Sequence, residues 1–128
     1  MKKIMVFGVF DQLHPGHRNF LRQAKKLGDF LVVSVARDIN VKRIKKQAPQ
    51  VKEKDRVKEI LKLEFVDKVV LGGIKDALSH IKKESPEIIA LGYDQKSYIL
   101  MKELKKIAEV VRLKPYQEKL FKSSKLRK

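Results

Sequence analysis

Apolar and polar residues alternate along this chain in blocks, and the block lengths change in a regular way. Residues 4–10 (Ile-Met-Val-Phe-Gly-Val-Phe) form a continuous apolar run, as expected of a central strand buried on both faces. A polar stretch follows, Pro15 opens a helix, and Phe20, Leu21, Ala24 and Leu27 recur at helical spacing until Gly28, which reads as the helix's C-terminal cap. Residues 30–36 are a second apolar run, closed by Arg37-Asp38. Residues 39–46 read as a short basic helix or loop, and 47–50 break the pattern. Residues 53–63 read as a helix with Val57, Ile60 and Leu61 on its inner face. A short strand at 69–71 ends in the Gly72-Gly73 turn, and a helix at 76–83 turns Ala77, Leu78 and Ile81 inward. After Ser85-Pro86 come a strand at 88–91, a helix at 99–108, a strand at 110–111 ended by Pro115, and a last short helix at 125–128 capped by Ser123-Ser124. Strand and helix alternate five times. The pattern predicts an α/β fold, a doubly wound parallel five-stranded sheet with helices on both faces and right-handed crossovers. Ligands in such folds lie beyond the carboxyl ends of the strands, where the strand order reverses.

The length, 128 residues, fits one domain over 1–128. No apolar stretch approaches a membrane span, and the run behind Lys2-Lys3 leads at once into Asp11, His14 and His17, unlike a leader peptide. The expected location is the cytoplasm. The absence of cysteine excludes disulfide scaffolds, zinc ribbons and thiol nucleophiles, and three dispersed histidines give no metal cage. Lys and Arg number 31 against 15 Asp and Glu, a net +16. Such a charge attracts phosphates, nucleotides and nucleic acid without choosing among them. A nucleic-acid-binding protein is the alternative of another class. Aromatic residues are only 7% and are not interleaved with basic ones, which argues against it.

The chemistry concentrates at His14-Pro15-Gly16-His17, at the exit of the first strand. A helix N-terminus offers backbone N–H groups and the positive end of a dipole. Gly16 lets a phosphate approach the backbone, and histidines three apart share one helical face. Two imidazoles and several amides are thus expected to converge on one anion. Asp11 reads as holding the loop, and His80 as facing solvent.

The run Phe7-Gly8-Val9-Phe10-Asp11-Gln12-Leu13-His14-Pro15-Gly16-His17 resembles the G-T-F-D-x-x-H-x-G-H signature of the cytidylyltransferase-like nucleotidyltransferases. Gly92-Tyr93-Asp94-Gln95 is similar to that family's G-x-D segment, and Ser123-Ser124-Lys125-Leu126 to its C-terminal serine–threonine element. Val9 stands where the family usually has Thr, and the R-T-x-G of the glycerol-phosphate cytidylyltransferases is missing. The segments 35–38, 90–95 and 112–124 resemble the archaeal FAD synthases within the family.

The resemblance implies a Rossmann-like fold and a reaction in which a phosphate monoester attacks the α-phosphate of a nucleoside triphosphate and pyrophosphate leaves. ATP with FMN is the implied pair; CTP with glycerol 3-phosphate or a similar phosphoalcohol is the alternative. It implies His14 and His17 as catalytic residues. The nucleotide site would comprise Val9, Phe10, His14, Pro15, Gly16 and His17, joined by Lys45, Asp94, Tyr116, Ser123 and Ser124. Asp38, Lys42 and Arg56 would face the acceptor, Arg56 through the family's E-x-x-R turn. Ordinary structural readings stand beside several of these: a solvated loop for Lys42 and Lys45, a helix ion pair for Arg56, a turn for Asp94, packing for Tyr116, a helix cap for the serines. Mg²⁺ or another divalent cation would arrive with the triphosphate, with no protein-borne metal cluster. A homodimer is implied by the resemblance alone.

Overall fold

A computed structural model describes residues 2–72, 77–92 and 101–114. Within them the elements run β1 (Lys3–Gly8), α1 (Pro15–Lys25), β2 (Phe30–Val35), α2 (Asp38–Lys45), α3 (Glu53–Leu61), β3 (Lys68–Leu71), α4 (Ala77–Glu84), β4 (Ile88–Leu91), α5 (Met101–Ile107) and β5 (Glu109–Arg112). The five strands form one sheet in the order β3-β2-β1-β4-β5, with every pairing parallel. The fold is Rossmann-like α/β. The order reverses at β1, which lies between β2 and β4, so the ligand crevice expected of the fold opens at the carboxyl ends of β1 and β4.

Strand alternation sorts the core into two layers. Ile4 and Val6 of β1, with Leu31, Val33 and Val35 of β2, pack on Leu21 and Ala24 of α1 and Ile60 of α3. Met5 of β1, Val32 of β2 and Ile89 and Leu91 of β4 pack on Ile81 of α4 and Leu104 of α5. Successive residues of one strand thus feed opposite layers, which requires helices on both faces. No helix among the described residues is long and apolar enough to cross a membrane.

Three local expectations are corrected. Gly28 is not a left-handed cap. Helix α1 ends at Lys25, Lys26 follows in right-handed geometry, and no described glycine has a positive φ. Gly28 instead lies so close to β1 that a Cβ would meet the Ile4 side chain and come within 2.6 Å of the Lys2 carbonyl oxygen. Gly28→Ala is therefore expected to lower stability by about 1–3 kcal/mol, read as a lower urea midpoint at unchanged m value. On α3 the buried residues are Arg56 and Ile60, one turn apart, whereas Leu61 is 55% exposed. His80 turns to the sheet, where Nε2 sits 3.0 Å from Oγ of the buried Ser34. A polar residue in β2 and an imidazole on α4 satisfy each other, where the lysine-rich neighbourhood of His80 read as solvent-facing.

Candidate active site

The exit of β1 is built by a backbone turn that the sequence run conceals. The strand stops at Gly8, and Phe10 adopts φ 51°, a left-handed conformation uncommon outside glycine. That turn folds the Phe10 ring back over Gly8, where a Cβ would lie 2.7 Å from two ring carbons. Glycine at position 8 and an aromatic at position 10 are therefore one packing unit. The ring is buried, meets the His17 ring edge-on at 5.3 Å between centroids and lies 6.4 Å from the Phe20 ring.

At the head of α1 the two imidazoles cap the helix for each other. His14 Nδ1 accepts from the N–H groups of Gly16 (3.1 Å) and His17 (3.3 Å), and the His14 N–H donates to His17 Nδ1 (3.4 Å). The rings stack with centroids 3.7 Å apart and 18° between planes. Nδ1 of a neutral histidine that accepts carries no proton, so the proton sits on Nε2. The first-turn amides are thus already engaged: Pro15 has none, Gly16 and His17 serve His14 Nδ1, and Arg18 N–H donates to the His14 carbonyl. This corrects the expectation of free amides at that helix end. What the head of α1 presents is the stacked pair of imidazole rings, backed by the helix dipole.

The His17 pKa is lowered from 6.5 to about 4, by burial first and then by the charge of His14, against a hydrogen bond with the Gln12 backbone. His17 is therefore neutral at pH 7. His80 is lowered as well, by burial, with Glu84 opposing and Lys83 adding to the shift. An unfolded chain protonates both rings near pH 6.5, while the folded chain resists. Stability is therefore expected to fall as pH drops from about 6.5 towards 4, the range in which only the unfolded state protonates His17, with His80 acting in the same direction. Asp67, held below its ordinary value by Lys25 and the Leu31 N–H despite burial, loses its contribution only further down. Urea midpoints at pH 7 and pH 5 measure this fall, and His17→Gln should remove part of it.

Around the β1 exit, three connections are bound together. Asp11 accepts from the N–H groups of Gln50 and Val51, tying the loop to the start of α3. Asp38 and Glu53 cap each other's helices: Asp38 N–H donates to Glu53, and Glu53 N–H donates to Asp38. Arg56 lies at the centre with a fully buried side chain. Its Nε donates to the Val51 carbonyl, Nη1 to the carbonyls of Val9 and Ala36 at 2.8 Å each, and Nη2 to Asp38. The acceptor-facing reading of Arg56 is therefore corrected. A guanidinium without exposure, its donors aimed at carbonyls and one carboxylate, has no face for a phosphate. Asp38 belongs to the same lattice, with one oxygen on Arg56 and the other on the Glu53 N–H, but its side chain is 38% exposed.

Lys42 is exposed on α2. The side chain of Lys45, and the residues Asp94, Tyr116, Ser123 and Ser124, lie outside the described residues. Sequence reasoning missed Gly8, Glu53 and Arg112, whose guanidinium donates to the Gly92 carbonyl at the β4 exit. The acidic residues at the first positions of α2 and α3 were the available signal for the reciprocal caps.

The cytidylyltransferase-like family model matches residues 5–128. The chain is 46% identical over 123 residues to the FAD synthase of Ferroglobus placidus, covering 92% of this chain and 80% of that protein. It is 45% identical over 118 residues to the FAD synthase of Methanosarcina mazei, covering 88% and 77%. Among solved structures, the lipopolysaccharide core biosynthesis protein from Thermoplasma volcanium is similar at TM-score 0.82 and 40% identity, over 91% of this chain and 99% of that one. The chain belongs to the cytidylyltransferase-like family of nucleotidyltransferases.

Proposed function

We propose that this nucleotidyltransferase transfers AMP from ATP to FMN, forming FAD and pyrophosphate. The observation that carries the reading is the 46% identity to an FAD synthase over 92% of the chain, with the two stacked imidazoles standing at the β1 exit. The terminal phosphate of FMN is largely a dianion at neutral pH, since a phosphate monoester's second pKa is about 6. It attacks the α-phosphorus of ATP in line, the bond to the bridging oxygen of pyrophosphate breaks, and no proton has to be removed. The protein's task is to bring two anions together and spread the charge that builds on the α-phosphate oxygens. His14 and His17 supply Nε2–H donors for that purpose, with His17 on the α-phosphate. The N–H groups of Val9 and Phe10 line the same cradle, and Pro15 and Gly16 form its floor. Lys42 or Lys45 reaches an outer phosphate from α2. Asp94 takes the ribose or the base, Tyr116 a ring, and Ser123 and Ser124 the β- and γ-phosphates. The divalent cation, Mg²⁺ or another, enters with ATP as part of the substrate. The working form is a cytoplasmic homodimer of this single domain.

Pyrophosphate release measured over ATP or CTP against FMN or glycerol 3-phosphate tests the assignment. Turnover is expected with ATP and FMN. Turnover only with CTP and a small phosphoalcohol would replace it. Salt-sensitive oligonucleotide binding without any turnover would overturn the enzyme reading.

A further inference from the structure

Arg56 is a buried charge that the proposed chemistry leaves unused. Its Nη1 joins two loops, the β1 exit through the Val9 carbonyl and the β2 exit through the Ala36 carbonyl. The carbonyl and the N–H of a trans peptide unit point in opposite directions. By pulling the Val9 carbonyl inward, Arg56 turns the Phe10 N–H away from itself. Phe10 is 5% exposed, and among the described residues neither its N–H nor that of Val9 has a backbone or side-chain acceptor. A donor at a buried residue with no partner invites an acceptor from outside the protein. Phe10 also holds a positive φ, a conformation that persists only where its surroundings enforce it.

We propose that Arg56 is a positioning residue for nucleotidyl transfer: it aims the Phe10 amide at a phosphate oxygen of the bound triphosphate, and through Asp38 it locks that loop to the start of α2. The proposal rests on the reading of the β1 exit as the triphosphate site, and it leaves the acceptor's identity open.

Arg56→Lys keeps the charge but cannot reach two carbonyls, Val51 and Asp38 together. The expected result is a kcat lower by about 10²-fold with the KM for FMN nearly unchanged, as befits misplacement rather than lost binding. A higher KM for FMN at preserved kcat would overturn the proposal, because Arg56 would then be holding the acceptor. A second measurement needs no variant. In the ¹⁵N–¹H spectrum of the wild-type protein, saturating Mg–ATP should move the Phe10 amide resonance. A Phe10 amide unmoved by saturating Mg–ATP would overturn the proposal even if Arg56→Lys did not fold. A Phe10 shift in a protein that turns over no FMN would support the positioning role and sink only the acceptor assignment.

Discussion

His17→Ala is expected to lower kcat for pyrophosphate release by about 10²–10³-fold, the cost of deleting one preorganised donor aimed at developing charge. The ring is placed by four features at once: the edge contact with Phe10, the stack on His14, the bond from the His14 N–H to its Nδ1, and the half-buried head of α1. With Nδ1 accepting, the proton stays on Nε2, and with a pKa near 4 the free ring carries no charge at neutral pH. The variant keeps His14 as the helix cap, since Nδ1 of that ring still accepts from the Gly16 N–H and the backbone at 17. Thermal unfolding should therefore change far less than turnover. Steady-state kinetics with a melting curve on the same sample separates the two effects. A kcat within about threefold of wild type would place the chemistry elsewhere, because no oxyanion donor of this kind is so nearly dispensable.

The sheet was legible because its strands are short apolar runs bounded by punctuation, and residues 4–8, 30–35 and 88–91 occupy the expected strands. The head of α1 was legible for the same kind of reason, since Pro15 fits only a helix's first position there and fixes where the imidazoles stand. Spatial order was not legible. Nothing in the spacing says that β4 rather than β3 lies beside β1, because long-range pairing is decided by how whole layers pack. Gly28 shows a related limit: its sequence position suits a helix cap, yet the constraint comes from Lys2 and Ile4, more than twenty residues away. The same blindness exchanged Arg56 for Leu61. Hydrophobicity assigned the inner face of α3 to leucine. The structure gives it to a cation, because the carbonyls of Val9, Ala36 and Val51 converge there, and no local pattern encodes their convergence. A capping role for His14 was open to the sequence, but the return bond from the His14 N–H to His17 was not, because histidine is unusual at both positions of such a cap.

Arg56→Ala is expected to cost about 3–5 kcal/mol of unfolding free energy, the largest stability effect of any single charge in the described residues. The truncation strips donors from three main-chain carbonyls and from Asp38, and leaves a cavity the size of a guanidinium and its stem. Unmade hydrogen bonds at buried acceptors carry the desolvation cost with nothing in return. Arg37 supplies the comparison within the same cluster. Its guanidinium is 36% exposed and approaches Glu53 at 3.4 Å, so water replaces the lost partner and Arg37→Ala should cost under about 1 kcal/mol. Urea unfolding of the two alanine variants side by side measures the difference. Near-equal small losses would mean that the guanidinium of Arg56 meets solvent, and the proposed orientation of the Phe10 amide through the Val9 carbonyl would fall with it.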